Sequence, residues 1–350
     1  MEMDFVPSLQ HLALVRVAIT AYYSPEITDI KEKFKNGIGS TRIHEWQPLM
    51  LKRLKKSVLP HIFHEKLLGI LQPISLEIES WEEDMLDLGI HKPLDICWKS
   101  LGTIDRVETA KRFVQSEDSN VIQRFNMACH FWMSDDVLEI WDVASVYERI
   151  HIEMTLMQEK KESISNETEE RKPKRFKTNR VGELLVKWFD WLHEGGYPSD
   201  LHLFLDESLL WYDHVPPETG LVRKLPINEL RSMMQQKDNT NYGRMYFSCM
   251  NDTQQMFYFQ MEPCIVLKYF LDWPLQFKFL EIAKRAWIYL TVYDFFRVLL
   301  HIIEKKILRF CSDFDYASLL QEFWKQSSEH YKTYAKKHAL FFFVKEYIVV

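Results

Sequence analysis

Residues 133–141 read MSDDVLEIW. Asp135, Asp136 and Glu139 put three carboxylates within one helical turn, in the DDxxE pattern that collects hard divalent cations. Magnesium held this way neutralises a diphosphate and eases its departure. The same residues also suit a helix start. Asp136 can accept the N–H of Glu139 while the Glu139 side chain reaches back to the N–H of Asp136, a capping box in its aspartate form. Acids in a first turn also match the helix dipole. That reading puts a helix start at Asp136 and a long amphipathic helix over 136–160.

The diphosphate chemistry belongs to magnesium-dependent all-α prenyl diphosphate and terpenoid synthases, and it needs more than Asp135, Asp136 and Glu139. A second metal motif should appear later in the chain. The nearest stretch, NDTQQMFYF (251–259), opens with Asn251 and Asp252 but carries Gln255 and Phe259 where a hydroxyl and an acid are required. No basic pair for the diphosphate stands near either stretch. The expectation is therefore a helix start and no metal or cofactor, with the synthase as the alternative.

Other stretches carry weaker signals. In HIFHEK, His61, His64 and Glu65 fall within one turn, with His44 not far upstream, but the stretch is neither HExxH nor HxxEH. It reads as exposed histidines at a helix start after Pro60. NGIGST (36–41) lacks the lysine and the preceding strand of a phosphate loop and reads as a turn. In RKPKRFK, Arg171, Lys172, Lys174 and Arg175 form a compact basic cluster, fit for nuclear import or for an acidic partner. Trp188, Trp191, Trp273 and Trp287 could line a groove for a partner peptide, although aromatic residues at helical spacing more often form core.

The elements that must position these residues are helices. Only 10 of 350 residues are glycine, too few for the turns of β-sandwiches or the close backbone approaches of nucleotide-binding sheets. Prolines 25, 48, 60, 73, 93, 226, 263 and 274 each precede a helical pattern, as first-turn prolines do. Gly89, Gly102 and Gly195 come after such patterns, where a left-handed cap is wanted. The spacing predicts helices over 8–23, capped by Ser8, and over 60–71, 73–88, 93–100, 292–309 and 315–337. In the first, Leu9, Leu12, Ala13, Arg16, Val17 and Thr20 form one mostly apolar face, with Leu14, Val15 and Ile19 on the other side. The C-terminal ALFFFVKEYIVV is expected to dock on the body.

A net charge of -6 disfavours general nucleic-acid binding. Five scattered cysteines without CxxC spacing read as reduced thiols. The acidic N-terminus, with Glu2 and Asp4, does not read as a secretory leader, and no run of 18 apolar residues offers a membrane span. A cytoplasmic protein is expected, or a nuclear one through the basic cluster.

HLALVRVAITAY (11–22), GTIDRVETAKRFV (102–114), RFNMACHFWMSDDVLEIW (124–141), VKWFDWLHEGG (186–196) and FLDWPLQFKFLEIAKRAW (270–287) together resemble a lineage-expanded family of uncharacterised all-helical proteins from spider genomes. The resemblance spans most of the chain and rests on caps and packing residues. It implies an all-α fold and a helix junction at the acidic pair, and it carries no activity or cofactor with it. The expected architecture is all-α, an irregular solenoid of stacked antiparallel helix pairs. It has an N-terminal half (1–159), a charged linker (160–180) and a C-terminal half (181–350). The expected function is a non-catalytic intracellular scaffold that binds protein or peptide partners.

Overall fold

The computed structural model describes residues 8–25, 27, 29–30, 43–54, 60–91, 94–154, 188–189, 191–193, 223, 227 and 240–348. They are mostly helical and carry no β-strand. The chain divides into two compact units: Met1–Ser80 with Trp98–Thr103 and Leu225–Val350, and Trp81–Cys97 with Ile104–Lys224. The 160–180 segment expected as a linker lies outside the described residues.

In the first unit, α1 (Leu9–Tyr22) begins at Ser8, whose hydroxyl accepts the His11 N–H at 3.2 Å. Its buried face is Leu14, Val15, Ala18, Ile19 and Tyr22. The stripe read from the sequence turns outward instead, with Leu9 85% exposed. Two apolar faces competed on this helix, and the one with unbroken i, i+4 continuity to Tyr22 is the one that packs. Helix α2 (Ile43–Leu54) starts before the expected position and holds Pro48 in its interior.

Helix α3 (His64–Asp87) replaces the two helices expected around Pro73, which sits inside it. Proline here removes the hydrogen bond that its N–H would give to the carbonyl of Gly69. Gly69 leaves no room for a side chain: an added Cβ would lie 2.1 Å from the Ser312 carbonyl oxygen. The loop at 312 is packed against the bare backbone of that turn. Helix α3 ends at a left-handed Gly89 (φ +71°), with the Ile90 N–H closing onto Met85 O at 2.9 Å, the cap foreseen from the sequence. The expected helix at 93–100 is absent over the described 94–100, which is irregular chain.

The second unit is built from α4 (Arg106–Gln115), α5 (Val121–His130), α6 (Ser134–Val143) and the helical residues 146–154. Helix α5 packs against both α4 and α6. Phe125, Met127, Ala128, Cys129 and Val137 are fully buried between them. Arg106 pairs with Asp84, and its guanidinium lies 5.5 Å from the Trp81 ring centre. The α5–α6 turn places Trp132 at φ 55°, a left-handed conformation that costs a non-glycine residue roughly 1–2 kcal/mol. Packing of its ring against Trp188, 5.2 Å away, offsets that strain.

The helix expected over 136–160 is two helices. The backbone turns extended at Ala144 (ψ 133°), and Ser145 restarts it. The Ser145 hydroxyl accepts the Glu148 N–H at 3.3 Å, while Glu148 Oε2 accepts the Ser145 N–H at 2.8 Å. Ser145–Glu148 is therefore the capping box of this region.

The C-terminal part of the first unit contains α7 (Thr240–Cys249), α8 (Asp252–Met261), α9 (Pro263–Tyr269), α10 (Phe279–Ala286) and α11 (Val292–His301). It continues through α12 (Tyr316–Gln326), α13 (Glu329–Lys337) and α14 (Phe341–Val344). Helix α9, with Pro263 in its first turn, touches α7, α8, α10 and α11 and is the hub. Trp287, Phe295, Phe323 and Tyr331 form an aromatic core in which Trp287 stacks on Phe323 at 5.1 Å. The helix expected over 315–337 breaks at Ser327–Ser328, both extended (ψ 150° and 162°). The tail docks as expected through Val344 and Ile348, both buried.

The helix expected over 292–309 changes type midway. After His301 the chain widens to a π-helix, Ile302–Ile307. Its i to i+5 spacing shows in Leu308 N–H to Ile303 O at 2.9 Å and Cys311 N–H to Lys306 O at 3.0 Å. Such insertions recur at functional sites.

Candidate functional site

The acidic cluster of MSDDVLEIW does not close a metal site or a capping box. Helix α6 begins at Ser134, with Met133 at the cap position and no side chain capping it. Asp135 and Asp136 thus stand inside the first turn, where the helix dipole favours them. Asp135 and Glu139 are exposed and Asp136 is half-buried. Burial and then the neighbouring Glu139 push the Asp136 carboxyl above its ordinary range, against the pull of Lys111. A carboxylate that capped the helix would instead be held below that range by the backbone N–H groups it accepts. Asp136→Asn is accordingly expected to leave stability at pH 7 unchanged or raised, where loss of a true cap costs about 1 kcal/mol; paired urea melts at pH 7 read the difference.

Among the described residues, no three His, Cys, Asp or Glu side chains converge as metal ligands. His61 and Glu65 are exposed, but His64 is buried, so HIFHEK is not the exposed trio expected. The side chain of His44, NGIGST and the basic cluster Arg171, Lys172, Lys174 and Arg175 lie outside the described residues. Trp188, Trp191 and Trp273 are buried, and Trp287 is half-buried in the aromatic core. Trp188 and Trp191 meet edge to face at 5.3 Å inside the second unit; Trp273 belongs to the first. Their rings are packing surface.

NDTQQMFYF has a different role from the one tested in the sequence. Asn251 Oδ1 accepts the Gln254 N–H and Gln254 Oε1 accepts the Asn251 N–H, both at 2.9 Å. Gln255 and Phe259, one turn apart, line an apolar pocket of about 390 Å³ with Phe247, Met256 and Tyr289. Asn251→Ala is expected to cost about 1 kcal/mol, seen as a lowered urea midpoint without change in helical signal at low denaturant.

The densest buried chemistry lies in the first unit, around the π-helix. Lys306 Nζ donates to Asp272 Oδ1 at 2.6 Å, with both side chains nearly enclosed. Asp313 Oδ2 accepts from Gln276 Nε2 at 3.1 Å. Tyr316 Oη lies 3.0 Å from Asp313 Oδ2 and 3.0 Å from Leu271 O, and its single proton serves one of them at a time. Arg244 donates to Glu77 Oε1 at 2.9 Å and to the Trp273 carbonyl. Trp273–Pro274 is a cis peptide, and the Trp273 indole donates to Gly102 O at 3.3 Å.

Electrostatics derive from this enclosure. Burial tends to lower the Lys306 ammonium pKa, but Asp272 beside it wins and the value rises. Burial raises the Asp313 carboxyl, the Tyr316 phenol and the Cys311 thiol, the last to about 11. That thiol is no nucleophile at neutral pH. Burial and then Lys268 push His301 down to about 4.

Between these groups is a cleft of about 80 Å³ lined by Gln72, Glu77, Asp272, Trp273, Lys306 and Asp313, among others. Gln72 Oε1 and Asp272 Oδ2 face no donor. Sequence reading missed this cluster because its members are scattered from 72 to 316. Neither Pro73 inside a helix nor a π turn has a local signature that would have brought them together.

The second unit presents a different surface. Val143, Val146, Tyr147, Ile150 and Met154 are exposed, Val143 at 81% and Tyr147 at 77%. Positions 147, 150 and 154 keep helical spacing within 146–154, and Val143 ends α6 on the other side of the Ala144 break. Val143 and Tyr147 border a cleft of about 680 Å³ whose other walls include Glu117, Glu139 and Glu148.

No family model, curated protein or solved structure matches the chain. Among the described residues no helix is long and apolar enough to cross a membrane.

Proposed function

We propose that the protein is a non-catalytic intracellular scaffold whose helices stack as an irregular solenoid of antiparallel pairs and bind protein or peptide partners. The observation that carries this reading is the apolar row Tyr147, Ile150 and Met154, with Val143 across the Ala144 break, left in water beside a cleft with a glutamate rim. A row of large apolar side chains in water marks an interaction surface. An amphipathic helix fits it: apolar anchors at i, i+4 and i+7 lie along the row, and lysines or arginines meet Glu117, Glu139 and Glu148. The likeness to the spider family belongs to the same proposal, as does a cytoplasmic or nuclear location.

The test is a photo-crosslinking residue placed at 147 in the living cell, with one at exposed Lys345 as control. A discrete adduct at 147, absent at 345 and abolished by Ile150→Glu, supports the reading. Equal labelling at both positions overturns it.

A further inference from the structure

We infer that the cleft of the first unit is a binding site for a small organic monocation with N–H donors, of the guanidinium or primary-ammonium type. Glu77, Asp272 and Asp313 bring three carboxyl groups to the cleft, and Asp313 Oδ2 accepts from Gln276. Opposing them are two cations, Lys306 in the wall and Arg244 bonded to Glu77. Arg244 and Lys306 balance Glu77 and Asp272, so the Asp313 carboxyl is the one acid here without a cation of its own, and a charge on it is screened far less than at the surface.

Hydrogen bonding points the same way. Gln72 is 6% exposed and lines the cleft, and its Oε1 accepts nothing. Asp272 uses Oδ1 for Lys306, and its Oδ2 accepts nothing. Gln276, fully buried behind Asp313, likewise has an unpartnered Oε1. Of the residues that line the cleft, Gln72 and Asp272 carry unpartnered buried atoms, and both atoms are acceptors, so the complementary group is a donor. Buried acceptors without donors are rare in folded proteins. Water would supply donors but leave the charge. An anion would add to the charge and bring no donor. A guanidinium or ammonium group supplies both donors and the missing positive charge.

Size narrows the class. A cleft of about 80 Å³ takes the head of such a molecule and excludes a bulky one. The head group can come from a free amine or guanidine, or from an arginine or lysine of a bound peptide. This inference rests on the first unit alone and is independent of the apolar row in the second.

Isothermal titration calorimetry of the full chain with methylguanidinium chloride tests it, with tetramethylammonium, which has no N–H, as control. Saturable one-to-one binding is expected, at least tenfold weaker for tetramethylammonium. Gln72→Met should weaken methylguanidinium at least tenfold, and Gln72→Glu, which adds a charge, should tighten it about tenfold. If Gln72→Met fails to fold, Gln72→Glu and the tetramethylammonium comparison decide. Acetyl-Gly-Arg-Gly-amide distinguishes the sources: tighter binding than methylguanidinium assigns the head group to a peptide, and equal or weaker binding to a free molecule. Absence of saturable binding by both probes, equal binding of tetramethylammonium, or indifference to the residue at 72 overturns the inference.

Discussion

Lys306→Met is expected to lower the stability of the first unit by about 3–5 kcal/mol, the usual cost of removing one partner of a buried ion pair. The cause is less the lost attraction than the carboxylates left behind. Without the ammonium, Asp272 faces Asp313 in a space that water barely enters, and both must be protonated or the loop at 311–313 must open. Urea unfolding monitored by the helical signal measures the loss. Adding Asp272→Asn to Lys306→Met removes one stranded charge and should restore more than half of it. If Lys306→Met alone unfolds within about 1 kcal/mol of the parent, a figure typical of exposed pairs, the pair is not enclosed.

A second large effect concerns acid. His301 is half-buried, and desolvation depresses its pKa from 6.5 to about 4. The folded chain therefore keeps His301 neutral where the unfolded chain already binds a proton. The unfolded state binds more protons between pH 6.5 and about 4, so stability falls as pH falls through that window. It is fully present above 6.5. The ceiling is roughly 3 kcal/mol, at 1.36 kcal/mol per pKa unit. Lys268, Lys305 and Lys306 oppose protonation of this ring and Asp272 favours it. His301→Phe should flatten the curve: the gap between parent and variant urea midpoints shifts in the variant's favour from pH 7 to pH 4.5. A gap that does not change with pH would show that the ring is solvated.

The helical class was legible because it depends on composition and local rules that act over a few residues. Scarce glycine, Ser8 at a helix start and Pro263 in a first turn all gave the right local structure. So did Gly89 at a helix end. What failed were choices that tertiary packing settles. Pro73 carries the same local signal as Pro263, yet lies mid-helix, where Gly69 lets the 312 loop approach. Two apolar faces of α1 were equally readable, and only burial separates them. Asp136-x-x-Glu139 and Ser145-x-x-Glu148 are both capping patterns, separated by about two and a half helical turns. The backbone chose the second, because the break falls at Ala144, a residue with no breaking signal of its own. The charged cleft was invisible for a related reason. It is assembled from α3, the turn after α9, the π-helix and the loop beyond it, and no window of sequence contains more than a part of it.

The π-helix has a consequence for comparing this chain with others. A π turn holds one residue more than the α turn it replaces, so it behaves as a one-residue insertion absorbed without a loop. Deleting any one residue of Ile302–Lys305 would restore α geometry and rotate α11 against the chain from Lys306 onward by about 100°, the angle per residue of an α-helix. Lys306 and Asp272 would then point past each other while the hydrophobic pattern of α11 survived intact. A homologue lacking the insertion would keep the fold and lose the cleft. A single-residue gap in an alignment at 302–305 is thus the mark by which chains that share this architecture divide into those with the site and those without it.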